Sequence, residues 1–126
     1  IDAESLSDAM NALELPGVLF RPIFLKPYYM AKKGLPLQGV QVYVTDLANA
    51  GLTEIQFFFL QEAHRIDPEF NPFRGQENRF SMFDKVLGSD VLRSSLQEDF
   101  NFEKLRPYWN KDREGFINLS QKYYLY

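Results

Sequence analysis

Along this chain the period of hydrophobic and polar positions changes several times, and each change marks an element. Residues 2–13, DAESLSDAMNAL, set Leu6, Met10 and Leu13 at helical spacing behind an acidic first turn that suits the positive end of a helix dipole. Leu15-Pro16-Gly17 ends that helix. Residues 18–28, VLFRPIFLKPY, are rich in β-branched and aromatic side chains, but Pro22 and Pro27 each remove a ladder donor. That segment predicts an edge strand or two short ones, and Lys32 to Pro36 a loop. In residues 38–46, QGVQVYVTD, the valines 40, 42 and 44 alternate with Gln41, Tyr43 and Thr45. A strand over 39–45 therefore turns the valines toward a core and the other three side chains away from it. Thr45-Asp46 marks a turn or a helix cap.

The period then lengthens. Leu52, Ile55, Phe59, Ala63 and Ile66 mark one face of a helix over about 52–66, ended by Asp67-Pro68. Phe57, Phe58 and Phe59 are consecutive and spread over more than half the circumference, wider than one buried stripe. Phe57 shares its side with Thr53, Gln61 and His64, so it is expected near the surface, as a partly covered ring or a docking residue for another domain. Residues 68–81 read as an irregular loop anchored by Phe70 and Phe73. Phe83, Val86 and Leu87 suggest a short helix up to Gly88, and Ser89 caps the next, which carries Val91, Leu92 and Leu96. Asn101 and Asn110 look like N-caps of two further helices. The whole predicts an α+β chain, a small β-sheet with several covering helices in a single compact domain.

Composition narrows the function classes. A chain of 126 residues can bury roughly two thirds of its unfolded surface. Aromatic residues make up 16%, enough for a core of rings and an interface besides. The net charge is −3 and no basic run exceeds Lys32-Lys33, so the electrostatic footprint of nucleic-acid binding is missing. No apolar run approaches the roughly 20 residues of a transmembrane helix. Cysteine is absent, which removes disulfides and thiolate chemistry and leaves the compartment open. The chain opens on Ile1 rather than Met and is expected to be a portion of a longer polypeptide.

Chemistry-bearing patterns are sparse. The glycines are scattered and form neither GxGxxG nor GxxxxGK[ST], and no serine sits in a G-x-S-x-G elbow. His64 is the single histidine, which argues for a solvated or core-edge imidazole and against a zinc site. Carboxylates such as Asp46, Glu54, Asp84, Asp90, Glu98, Asp99, Asp112 and Glu114 fall mainly at helix starts and solvent faces, where acids act as caps. No catalytic residue, metal or cofactor is assigned. Gln41 and Tyr43 are different. An amide and a phenol are the groups with which proteins hold sugars, although a half-exposed strand also turns polar groups outward.

Five stretches carry a resemblance: DAESLSDAMNALELPGVLFRPIF at 2–24, GVQVYVTD at 39–46, FDKVLGSDVLRSSL at 83–96, Trp109, and KYYLY at 122–126. In their order and spacing the chain resembles the C-terminal domain of the exo-β-N-acetylmuramidase (NamZ-like) peptidoglycan hydrolases. The resemblance implies an auxiliary domain spanning 1–126, with a Rossmann-like N-terminal domain, absent from this chain, carrying the catalytic glutamates. It implies a parent enzyme that removes N-acetylmuramic acid from non-reducing ends of peptidoglycan, an export route to the periplasm or exterior, and no activity for this chain alone. Partners would be the missing domain and a muramyl sugar. The family's GVQ-x-x-V-x-D pattern makes Gln41, Tyr43 and Asp46 the candidate substrate-binding residues. The family often has cysteine and histidine where this chain has Leu37 and Tyr43, so no imidazole titrates there. A muramyl carboxylate would need a local cation, with Arg21, Lys26, Lys32 and Lys33 nearest in sequence. The rival readings are a protein-interaction module and a scaffold domain.

Overall fold

A computed structural model describes residues 1–29 and 32–125. The chain is α+β, as its pattern predicts, and divides into two compact units, Ile1–Asn71 and Pro72–Tyr126. Among the described residues, all strands lie in the first unit.

The first helix, α1, is Ala3–Ala12. Its N-cap is Asp2, whose carboxylate accepts a 2.8 Å hydrogen bond from the Ser5 N–H and satisfies one of the orphan donors of the first turn. Ala3, Leu6 and Met10 are buried along its inner face. After the stop at Leu15-Pro16-Gly17, strand β1 (Val18–Leu25) pairs antiparallel with β2 (Leu37–Val44), with Phe20 opposite Val42 and Arg21 opposite Gln41.

Gly17 closes the ribbon's end. Its carbonyl accepts from the N–H groups of Thr45 and Asp46, at 2.9 and 3.2 Å. Its φ is +70°, and a Cβ there would lie 2.2 Å from the Asp46 carbonyl oxygen, so both conformation and space require glycine.

The outer edge of β1 is sealed by α1. Asn11 donates its amide N–H to the Phe20 carbonyl (2.8 Å) and accepts from the Phe20 N–H (2.9 Å), while Ser7 Oγ donates to the same carbonyl. Phe20 therefore points its backbone away from β2, and by alternation so does Pro22, whose missing N–H breaks no rung of the ladder. The segment forms one strand, and Pro27 lies beyond it. At the other strand Gln38 accepts from the Ala3 N–H at 3.0 Å, which ties the start of α1 to β2.

Helix α2 is Ile55–Ile66 and packs against α1. The expected stripe holds only in part: Ala63 is buried, but Leu52 lies before the helix and is exposed, and Phe57 and Phe58, outside the stripe, are buried with Glu62. The buried arc is wider than one stripe.

In the second unit a 3₁₀ turn at Glu77–Arg79 leads into α3 (Phe80–Leu87), so the predicted loop over 68–81 becomes helical in its last part. The reason is aromatic packing: Phe73 meets Phe80 and Phe83 edge-on, with ring centroids 6.4 and 5.4 Å apart. Gly88 ends α3 in the left-handed region at φ +75°. Helix α4 is Val91–Glu98, and Ser89 Oγ accepts from the Val91 N–H at 3.1 Å. Helix α5 is Phe102–Asn110, capped as predicted by Asn101, which accepts from the Lys104 N–H. Asn110 caps nothing downstream: it is the last residue of α5, and its side chain donates to the Arg106 carbonyl at 3.2 Å. Helix α6 starts later, at Arg113–Ser120. Tyr126, the last residue of the terminal KYYLY, lies outside the described residues.

Candidate functional site

Strand register decides which side chains share a face. Opposed residues of an antiparallel pair project to the same side, so Leu19 and Arg21 of β1 stand with Gln41 and Tyr43 of β2. All four are exposed. The Tyr43 hydroxyl donates to Gln41 Oε1 at 3.0 Å, and the Arg21 guanidinium lies over the Tyr43 ring, 4.8 Å from its centroid. Gln41 and Tyr43 thus act together, and Arg21, which strand alternation alone had not brought to them, completes the group. The signal for it is cross-strand register, which a pattern within one strand does not contain.

Asp46 is held differently. Its Oδ1 accepts from the Ala48 N–H at 3.0 Å and its Oδ2 from the Asn49 side-chain amide at 2.7 Å. The Asn49 hydrogen bond, followed by that from Ala48, holds the carboxyl below its usual pKa of 3.8. Asp46 is therefore ionised at neutral pH and organises the turn that follows β2.

Two expectations need correction. The valine face is not a closed core: Val42 and Val44 remain 42% and 47% exposed, because a two-stranded ribbon offers more surface than its covering elements hide, and Phe20 is the ring that is fully buried on that side. Phe57 is not at the surface either. It is 1% exposed, as is Phe58, so Phe57 is a core residue and offers no docking surface. Its polar neighbours Gln61 and His64 are themselves only partly exposed, and the adjacent Glu62 is buried, bonded by Arg65 Nε at 2.6 Å and by the Gln61 amide at 3.1 Å.

His64 fits the core-edge reading, with Nδ1 2.8 Å from the Phe70 carbonyl oxygen. Several carboxylates have structural partners as well: Asp2 caps α1, Asp67 accepts from the Glu69 N–H, and Asp84 receives Nε and Nη2 of Arg93 at 2.8 and 2.9 Å. Asp84 also borders an open depression lined by Ser81, Lys85, Gly88 and Ser89. Both of its oxygens are engaged by the Arg93 guanidinium. Among the described residues no three histidine, aspartate or glutamate side chains are grouped to hold a metal ion, and no helix is long and apolar enough to cross a membrane.

Fold and surface thus define an α+β chain whose two-stranded ribbon leaves a polar, aromatic face open. Its family relationship is unambiguous: the family described as exo-beta-N-acetylmuramidase NamZ, C-terminal, matches residues 1–126, and the chain belongs to it. It is 27% identical over 126 residues to the peptidoglycan beta-N-acetylmuramidase NamZ of Bacillus subtilis (strain 168). It is also similar to the crystal structure of a DUF1343 family protein from Bacteroides fragilis NCTC 9343, at 46% identity and a TM-score of 0.94. Both matches cover all of this chain, which spans 30% of the first protein and 33% of the second.

Proposed function

We propose that this chain is the auxiliary domain of a peptidoglycan exo-β-N-acetylmuramidase and that the Gln41–Tyr43 strand face forms one wall of its substrate cleft. The observation that carries this reading is the family match over the whole chain. The catalytic carboxylates then lie in a preceding Rossmann-like domain of the same polypeptide, which works outside the cytoplasm, where peptidoglycan is found. The chemistry of the strand face suits this division of labour. A phenol bonded to an amide presents a ring for the C–H face of a sugar and N–H donors for its oxygens. Asp46 shapes the turn at the strand's end, and its two engaged oxygens make it a positioning residue.

Gln41→Ala in the full-length enzyme tests the assignment. It removes the acceptor of the Tyr43 hydroxyl and the donors offered to ligand, and kcat/KM for muramyl disaccharide should fall about tenfold, from the loss of a net hydrogen bond or two. The amide spectrum of this domain should keep its dispersion. Unchanged kinetics would sink the cleft-wall role and favour a scaffold domain.

A further inference from the structure

The Arg21 guanidinium is the chemically unexplained part of the strand face. Two other arginines have carboxylate partners: Arg65 pairs with Glu62 at 2.6 Å, and Arg93 with Asp84 at 2.8 Å. Among the described residues no ion pair involves Arg21. It is nevertheless not a loosely solvated cation, because it sits over the Tyr43 ring and springs from a strand position fixed directly opposite Gln41. A guanidinium stacked on a ring keeps its N–H edge free for a planar, two-oxygen acceptor.

Gln41 adds to this. With Oε1 taken by the Tyr43 hydroxyl, the amide group has its N–H donors left to offer. The face is therefore dominated by donors, a guanidinium fork and an amide, beside an aromatic ring. Such a set discriminates for acceptors, above all for an anionic one. The overall charge of −3 gives no long-range attraction to an anion, so recognition of one has to be local.

We propose that Arg21 is the specificity-determining residue of this face and binds the carboxylate of an acidic amino sugar whose ring is contacted by Gln41 and Tyr43. The inference rests on the cleft-wall reading and adds to it a ligand group and the residue that selects it. N-acetylmuramic acid bears a lactyl carboxylate that N-acetylglucosamine lacks. A cation held on the strand face distinguishes the two sugars, whereas the amide and the phenol serve both.

The test compares two substrates in the full-length enzyme: a disaccharide with N-acetylmuramic acid at its non-reducing end, and the same compound with the lactyl carboxyl converted to its methyl ester. The unmodified enzyme should favour the acid over the ester by about 10- to 100-fold in kcat/KM, the range of a charge-assisted hydrogen-bonded pair. In Arg21→Gln that ratio should collapse to near one, and Arg21→Lys, which keeps the charge without the fork, should restore part of it. A ratio that survives in Arg21→Gln, including equal losses on both substrates, would overturn the proposal and give Arg21 a structural role. An unmodified enzyme that cleaves the acid and the ester equally well would also overturn it, while leaving the muramidase reading intact. Cleavage of neither substrate would overturn the muramidase reading itself.

Discussion

Residues 1–71 and 72–126 hold themselves together by different means. In the first stretch, hydrogen bonds join residues far apart in sequence: Ala3 to Gln38, and Ser7 and Asn11 to Phe20, besides the ladder between β1 and β2. In the second, short helices follow one another, with rings clustered on Phe73 and a clasp between Asp84 and Arg93 in neighbouring helices. The surfaces differ accordingly. Both stretches leave large apolar side chains exposed, Leu47 and Phe24 in the first and Val86 and Phe116 in the second, but the first also presents a guanidinium, an amide and a phenol on one strand face. Non-local bonding positions polar groups on a backbone that cannot shift in register, which is what selective recognition needs.

That contrast can be broken most forcefully at Phe57. If the ring belongs to the core of the first stretch, Phe57→Ala should cost about 3–5 kcal/mol in denaturant unfolding, the range for a buried phenylalanine. A change near zero would return Phe57 to the surface and revive its docking role. The next largest effect is expected at Asn11, where truncation to alanine strands the N–H of Phe20, whose carbonyl keeps the Ser7 hydroxyl as donor. A loss of about 1–3 kcal/mol should follow, with faster amide exchange in β1, because an unpaired buried backbone group costs that much. Unaltered exchange at Phe20 would show that the ribbon's edge does not depend on α1.

The smallest effect concerns pH. The carboxyls of Asp2 and Asp46, both in the first stretch, are held below their ordinary value, chiefly by hydrogen bonds from Ser5 and Asn49 respectively. A carboxyl with a depressed folded pKa binds its proton more tightly when unfolded. Its contribution to stability is therefore complete above the ordinary aspartate range and is lost as pH falls through the folded value. Acidification from about pH 6 to about pH 2, followed by side-chain carboxyl NMR, should show both groups titrating below unfolded aspartate. Loosening should be seen first in the α1 cap and the turn after β2. Titration of Asp46 at the ordinary value would mean that its turn is not held as described.

Much of the local structure was legible because it rests on neighbours in sequence. The α1 helix with its acidic start, the Asn101 cap of α5, the end of α3 at Gly88 and the alternating valine strand each depend on residues within a few positions of one another. The misreadings share a cause as well. Asn110 has a capping side chain but ends a helix, because the next turn of chain is occupied by residues 111 and 112 before α6 begins. The loop over 68–81 gave way to helix where Phe73 gathered Phe80 and Phe83, and no periodicity announces a cluster of that kind.

The sequence by itself determined the α+β class, the family, and the presence of an amide and a phenol on one side of a strand, because alternation and capping are short-range rules and the family motifs are contiguous. Only the tertiary structure decided that Phe57 and Phe58 both go inside, and that Arg21 stands opposite Gln41 against the Tyr43 ring. The physical reason is that a strand's own period specifies its two faces, whereas the partner's register and the depth of a helix's buried arc are set by long-range packing.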